Sequence, residues 1–146
     1  FDGKWHHVDD AGINPLPLNR TIPLWFGGHA DVVLRRIAKW GDGWIMLSHK
    51  PGEAAADDFA KLKHYAQEVG RDPNGIGIEV WTSTANGQPD DWKRTAAQWA
   101  ELGVTHITLN NVYGRYHHKR IAETSLDAHM RAMENYWAAV EEFAVT

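Results

Sequence analysis

Residues 22–44 read IPLWFGGHADVVLRRIAKWGDGW: an apolar run stops at Gly27, Gly28 and His29, and a helical pattern begins at once. Two residues without side chains leave the main chain open to close approach. The first N–H groups of the helix that follows carry partial positive charge toward the same spot. The combination suits an anion such as a phosphate. It also suits an ordinary strand-to-helix turn, for which glycine is often chosen. A second polar group, Ser48, His49 and Lys50, follows the next apolar run, WIML. A hydroxyl, an imidazole and an ammonium on one loop again fit an anionic guest, or else a solvated loop leading into PGEAAADD.

Other residues are chemically suggestive but read better as structure. Asp42, inside GDGW, is expected to hydrogen-bond backbone N–H groups in its own turn. Glu79 interrupts an apolar strand, where a lone carboxylate is costly unless paired; it points either into a barrel mouth or outward beside Arg35 or Arg36. Asn110 and Asn111 end the last apolar run and serve to bind substrate or to turn the chain, with the turn preferred. The pairs His6-His7 and His117-His118 lack the spacing of a zinc motif and are expected as solvated loop residues, so no metal is assigned. Ser-His-Asp, Walker and dinucleotide patterns are not found; the Gly-Gly here lacks the third glycine and the acidic residue of a dinucleotide fingerprint. No catalytic acid or base is assigned.

Composition narrows the partners. The 146 residues are 43% hydrophobic with a net charge of −4, enough chain to bury one sizeable core. Mild acidity without a basic block argues against nucleic acid or an anionic membrane surface. Apolar runs are too short to cross a bilayer, cysteine is absent, and a cytoplasmic setting is expected. The chain starts at Phe1 rather than Met, so its true N-terminus is expected to lie upstream. Eight tryptophans read mainly as core fillers, with one or two left to line a site for a flat ring.

Positioning these residues requires four strand–helix units. Residues 1–21, with Pro15 and Pro17, form a lead-in loop. Strands are expected at 22–26, buried on both faces, at 44–47, at 76–83 and at 104–111. Helices are expected at 31–40, with Val33, Ile37 and Trp40 inward, and at 53–69, with Phe59, Leu62, Ala66 and Val69 inward and Gly70 as the stop. A third, at 91–102, buries Trp92, Ala96 and Trp99. A fourth follows a capping box at Thr124 and Asp127 and buries Leu126, Met130, Met133, Trp137, Val140 and Ala144. Such alternation predicts an α/β chain with parallel strands. It is either a doubly wound sheet or a (βα)₄ half of a TIM (β/α)₈ barrel, whose full form needs about 250 residues. Strand order separates the two. A half-barrel leaves two open edges that invite pairing.

IPLWFGG, LRRIAKWGDGW, GRDPNGIGIEV and WAELGVTHITLN, in that order and spacing, resemble the C-terminal half of luciferase-like oxidoreductases. The resemblance covers about residues 12–111 and implies a TIM barrel whose fifth to eighth strands these would be. The first four would precede Phe1 and normally bring most proton-transfer groups. It also implies hydride transfer with coenzyme F420, the preferred cofactor, or monooxygenation with FMN, acting on a small-molecule substrate. By position, Gly27, Gly28 and His29 fall where the family contacts the cofactor phosphate, with Ser48 and Lys50 nearby. A lysine placed like Lys50 holds substrate phosphate in related sugar-phosphate dehydrogenases. However, Leu47 replaces a hydroxyl and His49 a glycine, which argues against that substrate. The expected partners are a second copy or the missing N-terminal half. The alternative is a non-catalytic half-barrel that self-associates or pairs with another chain.

Overall fold

In a computed structural model, residues 1–12, 14–19 and 21–144 are described. Ile13 and Arg20 of the lead-in, and Val145 and Thr146 at the other end, lie outside the described residues. The chain alternates β1 (Trp25–Gly27), α1 (Asp31–Trp40), β2 (Gly43–Met46), α2 (Glu53–Glu68), β3 (Gly77–Thr82), α3 (Pro89–Glu101), β4 (His106–Leu109) and α4 (Leu126–Val140). All three strand pairings are parallel and the order is β1-β2-β3-β4. Sequential order is that of a barrel half, not of a doubly wound sheet, in which the order reverses.

Between β2 and β3 the register pairs Trp44 with Ile78 and Met46 with Val80. These side chains face the helices and pack with Leu34 and Ile37 of α1, Phe59 and Leu62 of α2, and Trp99 of α3. A smaller cluster joins Trp92 and Ala96 of α3 to Tyr136 and Val140 of α4. Helix ends are closed locally. After α2, Gly70 takes a left-handed φ of +73°, its N–H donates to the Gln67 carbonyl, and the Arg71 N–H donates to that of Ala66. This is the paired closure that glycine permits. The Arg71 guanidinium then reaches the Ile37 and Ala38 carbonyls, 3.2 and 3.0 Å away, at the negative end of α1.

The sheet's opposite face is the inside of the would-be barrel. Trp25 lies across β2 and β3 there, over Gly43 and Gly77, and meets the His106 ring edge-on with centroids 5.0 Å apart. Glu79 belongs to this face and not beside Arg35 or Arg36: its Oε1 accepts from Trp81 Nε1 at 3.0 Å and from Thr108 Oγ1 at 2.8 Å.

Several expectations are corrected. The first strand is shorter than 22–26, and Ile22 and Leu24 are exposed, because β1 is a sheet edge pinned by Asp42. That carboxylate accepts from the Leu24 N–H at 2.8 Å, across to the neighbouring strand rather than within its own turn. Trp40 and Val69 face solvent, while Leu34 and Ala38 take the inward places on α1. The cap of α4 is Ser125, whose Oγ accepts from the Ala128 N–H at 3.2 Å, not Thr124. Leu126, Met130, Met133 and Trp137 form an exposed stripe on α4, and Ala144 is exposed too; the buried side carries Ala128, Tyr136 and Val140. Apolar residues occupy both faces of that helix, so periodicity alone does not choose the inward one. Of the tryptophans, Trp44, Trp92 and Trp99 are core, whereas Trp5, Trp40 and Trp137 are exposed.

Candidate functional site

Parallel pairing brings the C-terminal ends of all four strands to one rim. Gly27 pairs with Ile45, so the Gly-Gly turn and the loop after β2 are neighbours, and the His29 and His49 rings lie 6.2 Å apart between centroids. Gly28 has φ +104°, a conformation that favours glycine. Its carbonyl accepts from Trp44 Nε1 at 2.6 Å, which ties the turn to a fully buried ring. A Cβ on Gly27 would meet nothing within 4 Å, and one on Gly28 would come no closer than 3.5 Å, to the Val33 methyls. Gly27, Gly28 and His29 are exposed, and the extended N-cap Ala30 offers no side-chain cap to α1. The Val33 and Leu34 N–H groups donate to the Ala30 carbonyl at 2.8 and 3.1 Å, which leaves the Asp31 and Val32 N–H groups, without a partner among the described residues, to meet a guest.

Asp31 stands in that first turn, but its carboxylate is taken by the Tyr65 hydroxyl and by Arg35 Nε at 3.0 Å. The Tyr65 hydrogen bond, then that from Arg35, holds its pKa below the ordinary carboxylate value.

The second loop divides. Ser48 turns back toward Met46, with Oγ 4.0 Å from Sδ. His49 Nε2 lies 3.0 Å from Asp58 Oδ2, and Lys61 Nζ lies 2.8 Å from Asp58 Oδ1. Burial alone would raise the Asp58 pKa; hydrogen bonds from Lys61 and His49 outweigh it and hold the carboxyl low. With Nε2 so engaged, the other ring nitrogen of His49 is the one left to meet a guest. Lys50 goes elsewhere: it lines a cavity of about 200 Å³ with Trp81, Asn86, Trp92, His117 and Lys119. Asp58 was not singled out from sequence, yet the signal is there. It lies three residues after Ala55 and four before Leu62, both buried, and a carboxylate on a buried helical stripe calls for a partner.

Asn110 and Asn111 both shape the chain. Asn110 Oδ1 accepts from the Val112 and Tyr113 N–H groups, each at 3.1 Å. Asn111 Oδ1 accepts from Ser83 Oγ, Thr84 N and Thr84 Oγ1 at 3.1, 2.9 and 3.0 Å. His6 and His7 are exposed, with His7 Nδ1 3.1 Å from Asp2. The pair at 117–118 is not solvated as expected: His118 is buried, because the chain after β4 folds back over the rim. Burial first, then charge repulsion that a protonated ring would meet from His118, Lys50 and His49, push the His117 ring down to about 4. A histidine whose folded pKa is lowered binds its proton more readily when unfolded, so its contribution is present above pH 6.5 and is lost as pH falls toward 4. Thermal melts between pH 7 and pH 4.5 should show Tm falling in that window, and His117→Gln should flatten the fall; an unchanged slope in the variant would refute it.

The comparisons with known proteins agree with this architecture. An uncharacterized protein of Mycobacterium tuberculosis is 34% identical over 71 residues, 49% of this chain and 24% of that protein. An F420-dependent glucose-6-phosphate dehydrogenase of Tsukamurella paurometabola is 26% identical over 126 residues, 84% of this chain and 37% of that enzyme. Among solved structures, an F420-dependent secondary alcohol dehydrogenase in complex with an F420-acetone adduct superposes with a TM-score of 0.68 at 13% identity, over 96% of this chain and 55% of that one. The coenzyme F420 dependent tetrahydromethanopterin reductase from Methanopyrus kandleri gives 0.70 at 12% identity, over 99% and 58%. At such low identity the two structures show the fold alone. The chain spans little more than half the length of these structures and still less of the curated relatives. The sequence model of the luciferase-like monooxygenases matches residues 1–145, and with strand order, pairing and rim geometry in accord, this chain belongs to that family.

Proposed function

We propose that this chain supplies the cofactor-phosphate end of an oxidoreductase, with coenzyme F420 as the cofactor in preference to FMN. The observation that carries the reading is the bare Gly27-Gly28 turn, open to solvent, at the uncapped start of α1. A phosphate there meets free N–H groups and the positive helix end without displacing a side chain. The negative charge of Asp31 in the same turn is offset by its ion pair with Arg35, and its oxygens are engaged by Arg35 and Tyr65. His29 borders the turn, Ser48 lies on the loop after the neighbouring strand β2, and Lys50 adds positive charge farther along the rim. F420 is preferred over FMN because it is named for the Tsukamurella relative and for both solved structures. When bound, it would carry the hydride; this chain's residues would hold and orient it.

Titration with F420 and, in parallel, FMN, followed by tryptophan quenching, tests this. Saturable binding is expected, tighter for F420. Gly28→Leu and the less strained Gly27→Leu should each weaken it at least tenfold, about 1.4 kcal/mol, while circular dichroism stays unchanged. Binding that neither substitution affects would overturn the phosphate assignment.

A second reading rests on the open edges. β1 pairs only with β2 and β4 only with β3 among the described residues, and unpaired edges attract further strands. A half-barrel that pairs with a second copy or a partner chain, without chemistry of its own, would show a concentration-dependent dimer in sedimentation and no cofactor binding. A monomer at all concentrations would refute self-association.

A further inference from the structure

Beyond the Gly-Gly turn, the rim holds a second, larger cavity of about 400 Å³, walled by Leu47, Trp81, Tyr113 and Tyr116, with Asn110 and His118 among its lining. Its walls are mostly apolar. Two buried polar groups there have no partner: Asn110 Nδ2, and both ring nitrogens of His118. The two residues are 8% and 5% exposed. An unmet buried donor is costly, and native proteins leave few of them.

The orientation of the amide is determined by its partners. Asn110 Oδ1 already accepts from the Val112 and Tyr113 N–H groups, so a flipped amide would set NH₂ against two donors, and Nδ2 must be the free end. The His118 ring lies between Trp81, 6.4 Å away, and His117, 4.0 Å away. Burial lowers its pKa; the nearby Leu47 backbone opposes this in part without a well-formed hydrogen bond. The neutral ring presents one donor and one acceptor.

We propose that this cavity binds an uncharged ring compound bearing a hydroxyl or carbonyl, whose oxygen pairs with Asn110 Nδ2 and His118. A hydroxyl would accept from the amide and donate to the imidazole; a carbonyl would accept from both. Arg115 also lines the cavity, but it belongs to the exposed segment and lies over the Tyr116 ring, 5.1 Å from its centroid; the two unpaired buried groups, an amide and an imidazole whose pKa burial lowers, carry no charge to hold an anion. Residues 113–116 form the cover. Its base is tied down by Ser83 Oγ to the Lys119 carbonyl at 2.6 Å and by the Ile121 N–H to the Asn111 carbonyl at 3.1 Å. Its tip is exposed, and Tyr116 holds φ +57°, an unfavourable conformation for a bulky residue. The ligand reaches the two polar groups when that tip shifts.

This site does not depend on the cofactor assignment: a chain that binds no F420 can still pass the following test, and the reverse. Acetophenone, 1-phenylethanol, ethylbenzene and benzoate are titrated into the ¹⁵N-labelled full chain, observing the His118 ring nitrogens and the Asn110 side-chain amide by NMR. The oxygenated neutral probes should shift both groups saturably, and ethylbenzene should bind at least tenfold more weakly. His118→Phe, which keeps a ring in place, should bring acetophenone down to the affinity of ethylbenzene. Equal binding of ethylbenzene, tightest binding of benzoate, or no saturable shift of His118 and Asn110 would each overturn the proposal. The probe series on the unchanged chain decides it even if the variant fails to fold.

Discussion

Trp44→Ala should cost the fold about 3–5 kcal/mol, the range for removing a buried aromatic and leaving a cavity. Trp44 is 0% exposed. It meets Phe59 edge-on with centroids 5.7 Å apart, and Phe59 in turn lies 6.4 Å from Trp99, so the cavity would open where β2, α2 and α3 meet. A domain of this size is typically stable by only about 5–15 kcal/mol, and the denaturation midpoint should fall sharply. The same substitution acts on the rim, because the indole N–H is the donor to the Gly28 carbonyl. Trp44→Phe separates the two effects. It keeps most of the packing and loses one hydrogen bond, worth about 0.5–1.5 kcal/mol, yet it frees the Gly28 turn and should weaken cofactor titration more than it weakens the fold. Unchanged titration in Trp44→Phe would show that the tie does not hold the turn in its binding shape.

Gly43→Val should be the second large effect, by overpacking. A Cβ built on Gly43 would clash with Trp25 Cδ2 and Cε3, and one on Gly77 comes 2.6 Å from Trp25 Cη2. The indole must leave the sheet, with a loss of about 1–3 kcal/mol and a red shift of tryptophan emission. The decisive measurement is the double-mutant cycle with Trp25→Ala. Once the ring is gone, Gly43→Val should cost much less, giving a coupling of about 1 kcal/mol or more. Additive losses would mean that the glycine serves the backbone of β2 and not the ring. This arrangement also explains how the inner face of four strands is closed at its lower end: one indole lies across two bare positions, where a complete barrel stacks side chains from alternate strands.

Much of the α/β frame was legible in the residues. The bounds of α1 coincide with the helical pattern that follows Gly28, and the inward set Phe59, Leu62 and Ala66 on α2, like Trp92, Ala96 and Trp99 on α3, follows from spacing alone. Each of these helices has one apolar stripe and one polar side, so local pattern and global burial agree. On α4 they part. Leu126, Met130, Met133 and Trp137 make as good a stripe as Ala128, Tyr136 and Val140, and the choice fell to contact with Trp92 and Ala96 of α3.

The site divides in the same way. The bare turn ahead of α1 could be read directly, since glycine and a helix start are local signals. What could not be read were contacts made across the sheet: the Trp44 tie to Gly28, the reach of Asp42 to Leu24, and the orphaned Asn110 and His118 beneath a folded-back loop. Those partners are separated along the chain and meet only through strand register and loop closure. The sequence by itself determined the alternation of strands and helices, their parallel sense and the Gly-Gly opening at the rim, because propensity, capping and periodicity act over a few residues. Tertiary structure alone decided which apolar face of α4 is buried, which carboxylate grips His49, and which polar groups at the rim remain unpaired, because burial and hydrogen bonding depend on what the rest of the chain places opposite.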